Sequence, residues 1–212
     1  MVTGGSAQRM NGVSKPELEV GGSSLLGRVV GALGDARRVI AVGPRVGTAP
    51  VDVWVREEPP GGGPVAALTA GVTDVDAPFV ALVAGDLPFL TPAAMTQLRT
   101  SADPGTVALA VDDRGRDQYL LAVWPTAALR RALASAGPAH GLALRSVYRG
   151  VAARRIDVHR VSLPGAPPPW WDCDTPEQLA QARTWAAVNH DPGAEVDVPG
   201  PGVHPDRERE RQ

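Results

Sequence analysis

Apolar positions along this chain fall into two kinds of block. Val39-Ile40-Ala41-Val42 is a short apolar run that predicts a buried strand, and Val51–Val55 alternates with period two, as a strand with one wetter face does. Phe79–Ala84 is apolar throughout and stops at Gly85-Asp86, the profile of a strand covered on both faces. Thr106–Val111 and Tyr119–Trp124 predict two further strands, and Arg155–Val161 a weaker one. Helical periodicity lies between these runs, near 24–33, 65–74, 92–100, 126–136, 141–149 and 176–188. Thr91-Pro92 and Thr175-Pro176 each place an N-cap residue before a proline at the first helical position, and Thr175 with Gln178 fits a capping box. The alternation predicts an α/β fold: a three-layer, doubly wound sandwich around a mostly parallel sheet, whose ligands sit beyond the carboxyl ends of the strands.

The two ends of the chain break the pattern. Beyond residue 188 the sequence is Pro, Gly and charge, closing on Asp206-Arg207-Glu208-Arg209-Glu210-Arg211. Such a stretch has too little apolar surface to offset its ordering entropy, so the expected organisation is one domain over 1–188 and a disordered tail over 189–212. At the front only Met1-Val2-Thr3 precede Gly4-Gly5. A central strand feeding a phosphate loop normally runs to ~5–6 residues. The expectation is a truncated first strand and a native start that lies upstream.

Composition narrows the classes. The net charge of −2 comes with no basic stripe, which argues against a nucleic-acid partner. No apolar run approaches the ~20 residues of a membrane span, and no signal peptide is visible. Cys173 is the only cysteine, so an internal disulfide framework is excluded and a cytoplasmic location is the expectation. Aromatic residues make up only 4% of the chain, so Val, Leu and Ala must build the core, as suits a sheet covered by Ala-rich helices.

Candidate chemistry gathers in four segments. Gly4-Gly5 followed by Arg9 and Lys15 is a loop able to bring backbone N–H groups and two cations against phosphates, although Gly-rich basic loops also occur as plain solvated turns. Asp86 follows the most buried predicted strand, so its carboxylate would project at the ligand end of the sheet, with Gly85 leaving room for a nucleotide. Mg²⁺ prefers such carboxylates together with substrate phosphates. The plainer role is a loop aspartate capping a turn. In Asp172-Cys173-Asp174, period two puts both carboxylates on one face and Cys173 toward the core. A bound dication would relieve the repulsion between the acids, whereas the alternative for Asp174 is simply to assist the next helix N-terminus. Gly61-Gly62-Gly63-Pro64 opens an Ala-rich helix with little side-chain bulk, which suits a flat base lying on backbone. Trp170 and Trp171 offer flat faces to a pterin, against the more ordinary role of packing beside a strand. His140, His159, His190 and His204 form no spaced ligand set, and neither a GxxxxGK[ST] loop nor a GxSxG elbow is present.

Taken together, GGSAQRMNGVSK, GGGPVAAL, AGDLPFL and DCDTPEQLAQA resemble the motifs of the molybdenum cofactor guanylyltransferases, in the MobA-like nucleotidyltransferase group, across residues 2 to 188. The resemblance implies a Rossmann-like nucleotidyltransferase fold and transfer of GMP from GTP to the terminal phosphate of molybdopterin, with release of pyrophosphate. It further implies that Gly4 and Gly5 line the guanine and phosphate pocket, that Arg9 and Lys15 bind the triphosphate, and that Gly63 and Pro64 flank the base. Asp86 would hold Mg²⁺, with Asp174 near the same ion, and a molybdoenzyme or cofactor chaperone would be a client. The chain departs from the pattern at Asn11, where glycine is usual, at Ser14, where aspartate is common, and at the two aspartates of the closing motif. Aspartates there are frequent in the related cytidylyltransferases. Transfer of CMP to molybdopterin, a guanylyltransferase acting on another small phosphate such as phospholactate, and a catalytically decayed nucleotide-binding protein therefore stand as alternatives.

Overall fold

The computed structural model describes residues 1–3, 9–10, 13–47, 49–162 and 165–188. Gly4, Gly5 and the predicted tail over 189–212 lie outside the described residues. Two short antiparallel pairs open the chain: β1 (Arg9–Met10) with β2 (Val13–Ser14), and β3 (Glu19–Val20) with β4 (Ser23–Ser24). Between the pairs runs a 3₁₀ turn, Lys15–Glu17, with Pro16 near its start. Helix α1 (Leu25–Ala32) begins at Ser24, whose hydroxyl accepts from the Gly27 N–H at 3.0 Å. The alternating part follows as β5 (Ile40–Val42), β6 (Val53–Val55), α2 (Pro64–Val72), β7 (Phe79–Val83), α3 (Pro92–Ser101), β8 (Val107–Val111), β9 (Asp117–Pro125), α4 (Thr126–Ser135), β10 (Ala153–Ile156) and α5 (Pro176–Val188).

Strands β10-β8-β9-β7 form one ladder and β5-β6 another. Met1–Thr3 join them, because Val2 bridges Val42 on one side and Ala84 on the other, both in parallel. The Val2 N–H donates to Val83 O, the Thr3 N–H to Val42 O and the Gly85 N–H to Val2 O, each at 2.9 Å. Three residues thus hold the central position expected for a longer first strand. β5 is parallel to β6 and β10 to β8, whereas β9 runs antiparallel to both β7 and β8. The sheet is therefore mixed. The short link 112–116 between β8 and β9 turns through Gly115 at φ 74°, and a return that tight can only be antiparallel, since a parallel crossover needs about a dozen residues.

Both faces of the sheet are covered. On one face Val65 and Leu68 of α2 and Leu129 and Leu133 of α4 pack with Leu82, Leu109 and Trp124; on the other, Val29 of α1 and Met95 and Leu98 of α3 meet Val83, Ala108 and Val123. Two predicted elements change form. The helix expected over 141–149 is a coil with one 3₁₀ turn, Leu144–Ser146, set between Gly141 at φ 70° and Gly150 at φ 69°. A segment that short does not offset the cost of helix nucleation, and its apolar side chains reach the core regardless: Val147 is buried, and the Tyr148 hydroxyl accepts from Trp124 Nε1 at 3.0 Å and donates to Tyr119 O at 2.7 Å. The weak strand over 155–161 ends instead at Ile156, where Asp157 accepts from the His159 N–H and starts a 3₁₀ turn over Val158–Val161. A largely apolar cavity of about 430 Å³ lies at the amino ends of β5 and β7, lined in part by Val2, Ile40, Val72 and Ala81. It is remote from the acids described next.

Candidate active site

Asp86 leaves β7 on a loop fixed at several points. Ala84 N–H donates to Leu120 O and Gly85 N–H to Val2 O, while Leu87, Phe89 and Leu90 are buried beneath the turn. Arg28 of α1 reaches across to donate from Nε to Pro88 O at 2.7 Å. A Cβ at Gly85 would stand 3.1 Å from Thr3 Cγ2 and 3.3 Å from Val2 O. The glycine before Asp86 thus permits the close approach of this loop to the central segment. Buried apolar side chains on one side leave the Asp86 carboxylate pointing out at the carboxyl edge of the sheet.

The closing segment is pinned to the same loop. Cys173 N–H donates to Asp86 O at 3.3 Å, and the Cys173 side chain is fully buried among Leu18, Val20, Leu25 and Phe89. Burial pushes its thiol up to about 12, which leaves it an inert core residue. With Cys173 directed inward, its two neighbours turn toward the edge. Gln178 then fixes the backbone: its Oε1 accepts from the N–H groups of Asp174 and Thr175 at 2.7 and 2.8 Å, and its own N–H donates to Thr175 Oγ1 at 3.2 Å. This is the capping box expected from sequence, and it sets the position of Asp174.

Lys15 joins the two segments. Its Nζ donates to Asp86 Oδ2 at 2.6 Å and to Asp174 Oδ1 at 2.5 Å, across separations of 71 and 159 residues. The residue is only 6% exposed, and its backbone is set by the 3₁₀ turn that Pro16 begins. Burial alone would lower the ammonium, but the charge of Asp86 and the hydrogen bonds to Asp174 and Asp86 outweigh it and hold Lys15 above its ordinary 10.5. Asp172 faces the same charges without bonding to Lys15. Burial first, then Asp174 and Asp86, raise its carboxyl above 3.8, with Lys15 opposing.

Among the described residues no three His, Cys, Asp or Glu side chains converge as a metal cage. Two carboxylates meeting on one cation nevertheless match what Mg²⁺ asks of a protein, which is one or two carboxylates while phosphates and waters complete the shell. Asp86 and Asp174 fit that donor set.

The second predicted loop stands at the same edge. Gly63 caps α2 at φ 89°, Pro64 occupies the first turn, and the Ala67 N–H donates to Gly63 O at 3.0 Å. A Cβ at Gly62 would meet Ala66 Cβ at 2.7 Å, so this position takes no side chain as the loop stands. Gly141 N–H donates to Gly62 O at 2.9 Å, which brings His140 against the loop, a neighbour that sequence reasoning did not assign to it. Only a glycine-flanked coil at 137–141 hinted at such an approach. Arg9 is placed by its backbone, opposite Ser14 in the β1–β2 pair, while Gly4 and Gly5 lie outside the described residues. The tryptophans pack: Trp171 lies 5.6 Å from the Phe89 ring centroid, and Trp170 joins the core beneath α1 and α3.

Residues 2–157 match the family described as the MobA-like NTP transferase domain. A molybdenum cofactor guanylyltransferase of Rhodopseudomonas palustris (strain BisB5) is 31% identical over 205 residues, covering 86% of this chain and 90% of the relative. Among solved structures, molybdopterin-guanine dinucleotide biosynthesis protein A from Archaeoglobus fulgidus superposes with a TM-score of 0.65 at 17% identity, covering 88% of this chain and 97% of that one. The 2-C-methyl-D-erythritol 4-phosphate cytidylyltransferase from Thermus thermophilus does so with a TM-score of 0.62 at 19% identity, covering 82% and 94%. These two structures share the fold. With acids, lysine and glycine loop all at the carboxyl edge of that fold, the sequence match settles the family: the chain belongs to the MobA-like NTP transferase domain family.

Proposed function

We propose that this protein transfers GMP from GTP to the terminal phosphate of molybdopterin and releases pyrophosphate. The observation that carries the reading is the meeting of Lys15, Asp86 and Asp174 at the carboxyl edge of the sheet, beside a bare glycine loop that opens α2. The name of the Rhodopseudomonas relative supports the choice of donor and acceptor.

The attacking group is a phosphate monoester, already anionic near neutral pH because its second pKa is ~6. No general base is required. The demands on the protein are alignment of two anionic groups and neutralisation of charge on the α-phosphate and the departing pyrophosphate. Gly4, Gly5, Arg9 and Lys15 take the triphosphate in this reading, and Gly63 and Pro64 flank the base. Asp86 and Asp174 would hold Mg²⁺, which supplies electrostatic stabilisation of the transferring phosphoryl group. The backbone contacts of the Asp86 loop and the Gln178 clamp on Asp174 support this reading, because they fix where both acids stand. A cytoplasmic reaction, where GTP is at hand, and handover to a molybdoenzyme or a chaperone complete the proposal.

Asp172 and Asp174 give one specific reason to keep the cytidylyl alternative, since aspartates stand there in related cytidylyltransferases. Pyrophosphate release is to be measured with molybdopterin and Mg²⁺ and either GTP or CTP. The expected outcome is turnover with GTP at least tenfold above CTP. Preference for CTP moves the protein to the cytidylyl reading; no release with either nucleotide removes catalysis and leaves a binding protein.

A further inference from the structure

The proposed function asks two things of the same three side chains. Lys15 is to bind the triphosphate, and Asp86 with Asp174 is to bind a divalent ion. In the structure the Lys15 ammonium itself bridges both carboxylates, at 2.6 and 2.5 Å. It occupies the position between the two acids where a shared cation would sit.

Burial makes this arrangement an exchange rather than a loose contact. The Lys15 side chain is 8% exposed, so an ammonium drawn off the acids without a new anion would be left desolvated and unpaired, which is costly. A divalent ion arriving alone must displace the lysine and leave it so. A nucleotide arriving with the ion offers the ammonium a triphosphate at the moment the acids change partners. The acids then keep a cation throughout, and the ammonium keeps an anion. Resting on the functional reading above, we propose that Lys15 is a counter-cation that closes the Asp86–Asp174 pair to divalent ions until a nucleoside triphosphate takes its ammonium. Metal and nucleotide affinity are then positively coupled through one side chain, and the coupling is reciprocal. Lys15 thereby favours entry of the ion together with the nucleotide.

The test uses Mn²⁺ as the probe and binding as the readout, with the full chain and no acceptor. Electron paramagnetic resonance counts free Mn²⁺ without nucleotide in the unaltered protein, in Lys15→Met, in Lys15→Arg and in the double variant Lys15→Met, Asp86→Asn. Lys15→Met is expected to bind one Mn²⁺ at least tenfold more tightly than the unaltered protein. Lys15→Arg, which keeps the charge, stays weak, and the double variant loses the gain. Should Lys15→Met not fold, water-proton relaxation on the unaltered protein decides: enhancement by Mn²⁺ stays near that of the free ion until GTP is added, then exceeds that of Mn²⁺ with GTP alone. Equal, tight binding of Mn²⁺ by the unaltered protein without nucleotide overturns the counter-cation role and leaves the metal site standing. No Mn²⁺ bound by any variant, and no added enhancement with GTP, overturns the metal-site reading and the exchange with it.

Discussion

Two ion-paired groups in this protein, each built on one buried charged side chain, look alike as contacts and differ in where their partners come from. At the β8–β9 turn, Asp112 is 5% exposed and commits its carboxylate to its own loop: Oδ1 accepts from the N–H groups of Arg114 and Arg116 at 2.9 and 2.8 Å, and Oδ2 accepts from Arg116 Nε at 2.6 Å. Every one of these partners lies within four residues. At the carboxyl edge, Lys15 draws its two partners from 71 and 159 residues away, and a third acid, Asp172, stands close enough to feel their charge. The first arrangement is satisfied by local geometry and asks for nothing more. Among the described residues the second brings the carboxylates of Asp86, Asp174 and Asp172 into the field of one ammonium, so that three separate parts of the chain meet. A local, saturated acid holds a turn; a long-range group of acids gathered on one ammonium is what the proposed function assigns to a cation.

The largest effect that sharpens this contrast is expected from Asp86→Asn. Asparagine keeps the size of the side chain and the contact with Lys15 but removes a carboxylate from the cation position. Turnover with GTP and molybdopterin should fall by at least about 10²-fold, the scale of losing one electrostatic contact to a transferring group, while the circular dichroism spectrum is unchanged. Near-normal turnover in the folded variant at saturating Mg²⁺ breaks the assignment of Asp86 to the metal.

The opposite pattern is expected from Asp112→Ala. Two backbone N–H groups and a guanidinium lose their acceptor in a turn that the carboxylate itself organises, so the melting temperature should drop by several degrees with turnover per folded molecule preserved. Burial alone would push the Asp112 carboxyl up, but the Arg116 N–H and guanidinium and the Arg114 N–H hold it below its ordinary 3.8. For an acid lowered in the folded state, the contribution to stability is complete above 3.8 and is lost as pH falls through the folded value. The gap between the two melting curves should therefore close on strong acidification. A large loss of turnover in a variant of unchanged melting temperature would place Asp112 in the catalytic group and erase the contrast.

How much of this was legible in the sequence follows the same division. Local signals read well. The capping residues Thr91 and Thr175, the capping box at Gln178, the inward turn of Cys173 and the position of the strand before Asp86 stand as expected, because each depends on neighbours within a few residues. The full burial expected of that strand belongs instead to β8: Phe79, Val80 and Ala81 are only half-buried. Segments whose form depends on the rest of the fold read poorly. The 141–149 stretch carries apolar residues at plausible spacing, yet the sheet accepts them from a coil bounded by left-handed glycines. The antiparallel course of β9 was hidden because periodicity carries no strand direction. At the site, type and position singled out Asp86 and Asp174 as candidates, but nothing in the spacing indicated that Lys15 would sit on both. That contact exists only because Met1–Thr3, β7 and the segment before α5 converge at one edge. Arg28 beneath Pro88 and His140 beside Gly62 were missed for the same reason.

The smallest expected effect concerns the third acid and has the opposite pH sign to Asp112. Burial, Asp174 and Asp86 raise the Asp172 carboxyl above 3.8 in the folded chain, so between 3.8 and the folded value the native state binds more protons than the unfolded state. Stability then falls as pH rises through that window, and the penalty is complete above it. Asp172→Asn removes the penalty. At neutral pH the nucleotide-free variant should melt higher than the unaltered protein, by no more than about 1–3 °C because solvent screens a half-buried carboxylate. Below pH 3.8, where Asp172 is protonated in both states, the two curves should meet. Differential scanning calorimetry from about pH 3 to about pH 8 measures this directly. Added Mg²⁺ with GTP should shrink the difference from the other side, since a bound cation relieves the same repulsion that the substitution removes. A variant that melts lower at neutral pH would mean that Asp172 is held by an attraction stronger than the repulsion of its neighbours, and the carboxyl edge would then be balanced for its own sake, as the β8–β9 turn is.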